Sequence, residues 1–171
     1  MPFEKIKWLV IRTHKVSIEV HSLIFEILLL REFTYRLING IKDDLAEPKV
    51  FFVDEASKTS LSASRENDWT AREISTPTIT KFLTMARQFH LGVWASDQLY
   101  SALSDVLKSV ASTRIIGRLN SGKDIEEVAQ DISLTDDEKK AMRKLETGEW
   151  IVRTANINKP FIIRTPNYTI P

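Results

Sequence analysis

The sequence predicts an α/β fold in which helices flank a mostly parallel β-sheet. Strand-like and helix-like segments alternate along the 171 residues, which is the pattern of repeated βαβ units. A second observation is the unbroken apolar run Val50-Phe51-Phe52-Val53, because strands covered on both faces are apolar throughout. The third is the composition, 43% hydrophobic and 27% charged, which is that of a globular protein with enough apolar residues for a core. We therefore expect a single domain built on a sheet.

Charge and cysteine content exclude several classes of function. The net charge is +1, so the chain lacks an overall basic signature for nucleic acid, and any contact with DNA would need a local basic patch. Cysteine is absent, which excludes disulfides and thiolate metal sites. The first residues lack the basic start and cleavage site of a signal peptide, and charged residues interrupt the most apolar stretch, so we expect no membrane span. The expected compartment is the cytoplasm.

The amino-terminal part predicts a strand, a long helix and the Val50–Val53 strand, which together form one right-handed βαβ unit. The first strand is predicted at Ile6–Ile11. The helix should be capped by Ser17 or Ser22 and end near residues 39–40, because serine and glycine favour helix starts and stops. Its centre is apolar on nearly every side, which predicts burial on most sides, against the sheet and also against a neighbour.

Two carboxylates, Asp54 and Glu55, follow the apolar run directly. Ionised acids are rarely buried unpaired, so they should lie at the carboxyl end of the sheet, where α/β proteins bind ligands. An apolar strand ending in Asp-Glu is the Walker B pattern of P-loop ATPases, in which the Asp holds the Mg²⁺ shell and the Glu polarises the attacking water. The alternative is that the two acids only cap the next turn.

The rest of the sequence predicts a polar loop at residues 57–75, then alternating helices and strands. Lys58, Arg65 and Arg72 in the loop could face a phosphate backbone. The predicted helices are Thr76 to Phe89, Tyr100 to Val110, Asp124 to Gln130, and Asp136 to Leu145 with a capping box at Thr135 and Glu138. The predicted strands are Leu91–Ser96, Thr113–Leu119, Glu149–Arg153 and Phe161–Arg164. Polar residues, Asp97 and Gln98, again follow a strand.

Five motifs occur in the order found in one superfamily of molecular motors. They are the Val50–Glu55 segment, the turn at residues 85–92 with Arg87, the strand Val93–Ser96 leading to Gln98, residues 111–119 with Asp124 beyond, and Leu145-Glu146-Thr147-Gly148-Glu149 before a strand. From about Lys49 to Pro166 the chain resembles the second half of the ATPase core in the HerA/FtsK superfamily. These proteins are hexameric DNA pumps, and they include HerA-type helicases and type IV secretion ATPases.

This resemblance implies a fold, cofactors, partners and site residues. It implies that residues 1–171 form a single partial RecA-like P-loop NTPase domain that uses ATP and Mg²⁺, acts on DNA and assembles as a homo-hexamer. By the same resemblance Glu55 and Gln98 are catalytic, and Asp54 holds Mg²⁺ through water. Arg87, Arg114 and Arg118, in that order of preference, are candidates for an arginine that reaches a neighbour's nucleotide.

The family's Walker A loop, G-x-x-x-x-G-K-[ST], is the main departure, because it should precede the first strand and this sequence lacks it. Without that loop there is no phosphate cradle. The chain therefore resembles the carboxyl-terminal half of a motor, with the P-loop strand absent, and its missing amino-terminal half becomes an expected partner. Residues 117–123 match G-x-x-x-x-G-K, but Asp124 follows them, and a carboxylate there would repel phosphate. We interpret this stretch as a turn with Asp124 capping the next helix.

Three functions compete on this sequence. The first is part of an ATP-hydrolysing DNA translocase, and the second is a non-catalytic assembly subunit with the same fold. The third is a metal-dependent nuclease that uses Asp54, Glu55 and Asp97 as an acidic cluster. The resemblance also predicts a strand order, with Ile6–Ile11 beside Val50–Val53, Val93–Ser96 next to it, and a seam before Thr113–Leu119.

Overall fold

A computed structural model describes residues 9–13, 15–40, 48–59, 61–62 and 76–166. The helices of this part of the chain are α1 (Ile18–Asn39), α2 (Thr76–Met85), α3 (Asp105–Val110), α4 (Gly122–Ile132) and α5 (Asp136–Arg143). The strands are β1 (Lys49–Val53), β2 (Leu91–Ala95), β3 (Thr113–Ile116), β4 (Glu149–Thr154) and β5 (Phe161–Arg164). Short 3₁₀ turns lie at Ala56–Lys58, Ala86–Phe89 and Tyr100–Ala102. None of these helices combines the length and the apolar character needed to cross a membrane.

The first sheet is a parallel pair, with β1 against β2 and Phe52 opposite Trp94. Helices α1 and α2 cover one face of it, and Phe33 and Phe82 from these helices meet edge to face at 5.6 Å between ring centroids. This arrangement confirms the α/β class, and it confirms that the Val50–Val53 strand lies beside the Val93–Ser96 segment.

The second sheet is antiparallel, in the order β3-β4-β5. Helices α4 and α5 pack on it and form a separate core that includes Ile125, Val128, Met142 and Ile151. Within the described chain, no strand of this sheet pairs with β1 or β2. The seam expected before Thr113 is therefore a boundary between two sheets.

The amino-terminal prediction needs two corrections. Residues 6–8 of the expected first strand lie outside the described residues, and Leu9 to Ile11 are exposed and belong to no helix or strand. Helix α1 begins after Ser17, whose hydroxyl accepts a hydrogen bond from the Val20 N–H, and it ends at Asn39 as predicted. Only one side of α1 is buried, whereas its outer apolar residues are exposed. Within the described chain α1 is therefore buried on one side only, and its packing against a neighbour stays a prediction.

An ion-pair network fixes α1 to the amino-terminal end of the parallel pair. Glu32 accepts hydrogen bonds from Arg36 at 2.9 Å and from Lys49 at 2.8 Å, and Arg36 also donates to the Phe89 carbonyl at 2.6 Å. Burial opposes ionisation of Glu32, but the bonds from Lys49 and Arg36 outweigh it and lower the pKa of this carboxyl. The network therefore lies at the end of the sheet opposite Asp54 and Glu55.

Three predicted boundaries were wrong. The Tyr100–Val110 segment is interrupted, and Ser104 caps a new helix at Asp105 by accepting a bond from Leu107 N–H. Helix α4 starts two residues earlier than predicted, after a cap at Ser121 rather than Asp124. Strand β3 ends at Ile116, three residues short of the prediction.

The helix before β2 and the polar loop also differ from expectation. The α-helical hydrogen bonding of α2 ends at Met85, and a 3₁₀ turn carries the chain to Phe89. The predicted loop at 57–75 begins within a 3₁₀ turn, and Thr59, Leu61 and Ser62 are buried instead of lying on the surface. Its basic residues Arg65 and Arg72 lie outside the described residues.

Candidate functional site

Asp54 lies at the carboxyl end of β1, beside the end of β2. Ser96 N–H donates to the Val53 carbonyl at 2.9 Å, and Ala56 N–H donates to the Ser96 carbonyl at 3.0 Å. The parallel pairing thus continues one step beyond the strands. The Ser96 hydroxyl then donates to Asp54 Oδ1 at 2.6 Å, and this bond orients the carboxylate. Sequence reasoning did not select Ser96, although its position as the last residue of the predicted strand could have indicated it.

Glu55 has a left-handed backbone, with φ 52° and ψ 53°. This conformation is uncommon outside glycine, asparagine and aspartate, and such strain concentrates at functional sites. The side chain is about half exposed and forms an ion pair with Lys58, one turn further along. The turn therefore presents the Glu55 carboxylate to solvent next to Asp54.

Asp97 joins the loop after β1 to the loop after β2. Its carboxylate accepts the backbone N–H of Ser57 at 2.8 Å and that of Leu99 at 3.1 Å. Burial opposes ionisation, but hydrogen bonds from Ser57, Leu99 and Gln98 outweigh it and lower the pKa of Asp97. The carboxylate therefore holds the turn that carries Glu55, a positioning role that the sequence did not reveal.

Gln98 follows Asp97 and is exposed, and no described residue hydrogen-bonds to its side chain. Asp54, Glu55 and Gln98, three of the predicted site residues, therefore lie at one end of the parallel pair. Among the described residues, no three carboxylate or imidazole groups are arranged to hold a metal ion directly. The acidic cluster required by the nuclease hypothesis is therefore not formed by Asp54, Glu55 and Asp97.

Arg87 lies away from this end of the sheet. It is exposed on the 3₁₀ turn before β2, and so at the amino-terminal end of the strands. A five-residue strand spans about 13 Å at the usual rise per residue. Arg87 therefore does not share a site with Asp54 inside one chain, and its predicted role requires a neighbouring subunit.

The side chain of Arg114 is held by residues of its own chain. Its guanidinium donates to the Ala111 carbonyl at 3.0 Å and to Asp131 Oδ1 at 3.2 Å, and it also bonds the Lys108 carbonyl. Asp131 in turn accepts a bond from the Tyr100 hydroxyl, and burial together with Asp131 raises the pKa of that hydroxyl. As placed, Arg114 fastens α4 to β3, so its expected contact with nucleotide stays a prediction.

Arg118 lies two residues beyond β3 and is exposed, and none of the described residues bonds to its side chain. The Gly117–Asp124 stretch around it forms a helix start. Asp124 is only 2% exposed and accepts the Ser101 N–H at 2.8 Å, whereas Lys123 points its ammonium to Glu127 at 3.7 Å. Burial opposes ionisation of Asp124, but bonds from Ser101 and Ser121 outweigh it and lower its pKa. A buried carboxylate occupies the position that a phosphate loop would give to a hydroxyl.

No protein-family model matches the sequence, and no curated protein matches it. Solved structures do match. The genome packaging NTPase B204 from Sulfolobus turreted icosahedral virus 2, in complex with ATP-gammaS, has a TM-score of 0.68 at 16% identity over 96% of this chain and 69% of that one. B204 described as the DNA-packaging ATPase of Sulfolobus turreted icosahedral virus has a TM-score of 0.64 at 18% identity, over 93% of this chain and 66% of that one.

VirB4 of Thermoanaerobacter pseudethanolicus has a TM-score of 0.60 at 15% identity, over 91% of this chain and 39% of that one. The present chain thus spans about two thirds of each packaging ATPase and well under half of VirB4. These likenesses show the fold, and they confirm the prediction that the chain has a partial P-loop ATPase fold.

Proposed function

We propose that this chain, which has the fold of the HerA/FtsK-type P-loop ATPases, is the carboxyl-terminal part of a hexameric, cytoplasmic, ATP-driven DNA translocase. The observation that carries the proposal is the placement of Asp54 and Glu55 at the carboxyl end of β1, directly beside the end of β2. The likeness to a packaging NTPase that was solved with ATP-gammaS supports nucleotide as the ligand.

Each acid has a distinct part in the proposed reaction. Mg²⁺ keeps several waters and binds through one or two carboxylates plus phosphates, and an exposed Asp54 oriented by Ser96 fits that requirement. When bound, the metal neutralises charge that develops on the phosphates. Glu55 is the general base toward the attacking water, and Gln98 is the polar group that senses the terminal phosphate. Asp97 holds the turn that carries Glu55, through its bond from the Ser57 N–H.

The phosphate cradle is the part that this sequence does not supply. Asp54 and Glu55 act on a phosphate only if another segment holds it, because backbone amides and a lysine must bind its oxygens. We therefore include an amino-terminal ATPase half, bearing the strand and phosphate-binding loop, among the partners, together with DNA and further copies of the complex.

The test is ATP turnover with and without that half. Residues 1–171 alone should hydrolyse little or no ATP, and adding a phosphate-binding half should restore turnover. In the restored complex, Glu55→Gln should abolish hydrolysis but spare nucleotide binding, since the amide keeps the shape and cannot act as a base. Glu126→Gln, an exposed change on α4, is the matched control. Robust turnover by residues 1–171 alone would contradict the proposal.

Arg87 is proposed to act on the nucleotide of a neighbouring subunit. Its exposed position at the opposite end of the strands supports action in trans and not in cis. Because such arginines contribute on the order of 10³-fold to rate, Arg87→Ala should collapse turnover and leave ATP affinity nearly intact, with Arg143→Ala as control. Mixing Arg87→Ala subunits with Glu55→Gln subunits should partly restore turnover. No recovery in demonstrably mixed complexes would exclude Arg87.

The second candidate function is a non-catalytic assembly subunit that keeps this fold but binds no nucleotide by itself. The same assay separates the two functions. A subunit of this kind would leave the turnover of its complex unchanged when Glu55 is replaced by Gln.

A further inference from the structure

Helix α1 carries a second apolar surface on the side that faces away from the first core. Phe25, Leu29 and Phe33 point into that core. The outer surface, which we call the α1 stripe, consists of six residues: Val20, Leu23, Ile27, Leu30, Thr34 and Leu37. Four of its apolar side chains are between 42% and 54% exposed, and Leu30 is half-buried. A contiguous exposed apolar surface of this kind marks an interaction site.

The spacing within the α1 stripe shows what kind of element fits it. Its residues lie alternately three and four positions apart, which is the heptad repeat in which positions a and d face a second helix. All three a positions are β-branched, and they are Val20, Ile27 and Thr34. All three d positions are leucine, and they are Leu23, Leu30 and Leu37. Because β-branched residues at a with leucine at d favour two parallel helices, the stripe fits one helix running in the same direction as α1.

The charges beside the α1 stripe indicate that this helix is α1 of a second copy. Glu26 occupies a g position and Arg31 the following e position, and these two positions form the ion pairs between helices of a coiled coil. In a parallel pair of α1 helices, Glu26 of each copy lies beside Arg31 of the other, so two opposite-charge contacts form. An antiparallel pair would instead bring glutamate toward glutamate and arginine toward arginine. The helix is therefore complementary to itself in the parallel orientation.

We propose that the α1 stripe binds the α1 stripe of a second copy of this chain, in a parallel and in-register contact with two-fold symmetry. Helix α1 is already folded against the first core, so pairing has little backbone to order. A two-fold contact uses the same surface on both copies, whereas a ring closes through two different surfaces. The contact is therefore additional to the interfaces of the proposed ring, and the inference does not depend on the proposed function.

The first test uses single cysteines, because the chain contains none of its own. In the proposed contact residue 23 of one copy meets residue 23 of the other across the two-fold axis. Leu23→Cys should therefore form a covalent dimer in a glutathione redox buffer several-fold faster than Ile162→Cys on β5. The two sites are matched in exposure, at 54% and 57%, so random collisions crosslink them equally. Light scattering of the parent chain over a range of concentrations should show a shift from monomer to dimer.

The second test exchanges the flanking charges. Glu26→Arg and Arg31→Glu, each alone, should raise the dissociation constant of the dimer several-fold, because each replaces two opposite-charge contacts by two like-charge contacts. The double variant restores opposite charges across the contact and should bring the dissociation constant back toward that of the parent. Lys140→Glu, an exposed change on α5, is the control and should leave dimerisation unchanged. Circular dichroism checks that each variant is folded.

The contrary outcomes are equally definite. A chain that stays monomeric at every concentration would overturn the inference. Dimers in which Leu23→Cys crosslinks no faster than Ile162→Cys would overturn it too, because the contact would then lie elsewhere. Failure of the folded double variant to recover dimerisation would exclude the parallel orientation. Loss of the Leu23→Cys crosslink when a phosphate-binding half is added would assign the α1 stripe to that half instead of a second copy.

Discussion

Phe82 and Phe52 are phenylalanines on opposite sides of the same strand pair, so their truncation measures which face of the sheet is covered. Phe82 is 0% exposed and meets Phe33 and Phe51 edge to face, at 5.6 and 6.3 Å between centroids. Phe82→Ala should therefore lower the free energy of unfolding by about 3–5 kcal/mol. Phe52 lies on the opposite face of the pair, where it is 63% exposed, and its main ring partner is Trp94. Phe52→Ala should cost only about 1 kcal/mol, the usual strength of such a pair.

Urea unfolding of the full chain, followed by circular dichroism, tests this difference. The midpoint should fall steeply for Phe82→Ala and slightly for Phe52→Ala, with m-values equal to that of the parent, because m reports the surface exposed on unfolding. Equal losses for the two variants would mean that the face with Phe52 and Trp94 is also packed in this chain. The sheet architecture described above, with one covered face, would then be refuted.

Three further predictions concern contacts outside the first core. Because the pKa of Asp97 is lowered in the folded state, its contribution to stability is complete above the unfolded pKa of ~3.9 and is lost as pH falls through the folded value. Asp97→Asn should therefore reduce the loss of unfolding free energy over that pH range. An unchanged pH profile of stability would contradict the assignment. Thr135→Ala should remove the capping box of α5 and cost about 1 kcal/mol in urea unfolding. Arg114→Ala should cost about 1–3 kcal/mol by removing the charged partner of Asp131, which still accepts the bond from the Tyr100 hydroxyl, whereas exposed Arg118→Ala should be nearly neutral, and equal effects would show that Arg114 is not structural.

The elements that the sequence predicts well are those whose signals are local. The apolar run before Asp54 predicts a strand and β1 contains it, but only one face of β1 is covered, whereas the sequence predicted two. The capping box at Thr135 and Glu138 forms as expected, with the two residues bonding each other's backbone. Strand β5 has the predicted bounds, because a short β-branched and aromatic run is enclosed by turn residues.

The parts that were missed depend on contacts distant in sequence. Nothing local distinguishes Ser104 from an ordinary helical serine, yet its backbone N–H bonds the Leu61 carbonyl and breaks the helix there. Asp97 resembled a ligand until its bonds to the Ser57 and Leu99 backbone were known. Arg114 was a candidate for contact with nucleotide, and its bond to Asp131, which lies 17 residues away, could not be read from the sequence. Charged side chains take roles that only the tertiary structure decides.

The left-handed backbone of Glu55 sets stability against activity at a single residue. A non-glycine residue in this conformation costs about 1–2 kcal/mol, so Glu55→Gly should make the chain more stable while removing the proposed base. Selection for thermal resistance alone would therefore favour an inert protein at this position. Gln carries the same backbone cost as Glu, so a Glu55→Gln variant isolates the chemistry without a gain in stability. Engineering of this protein for robustness should accordingly leave residue 55 untouched and begin elsewhere.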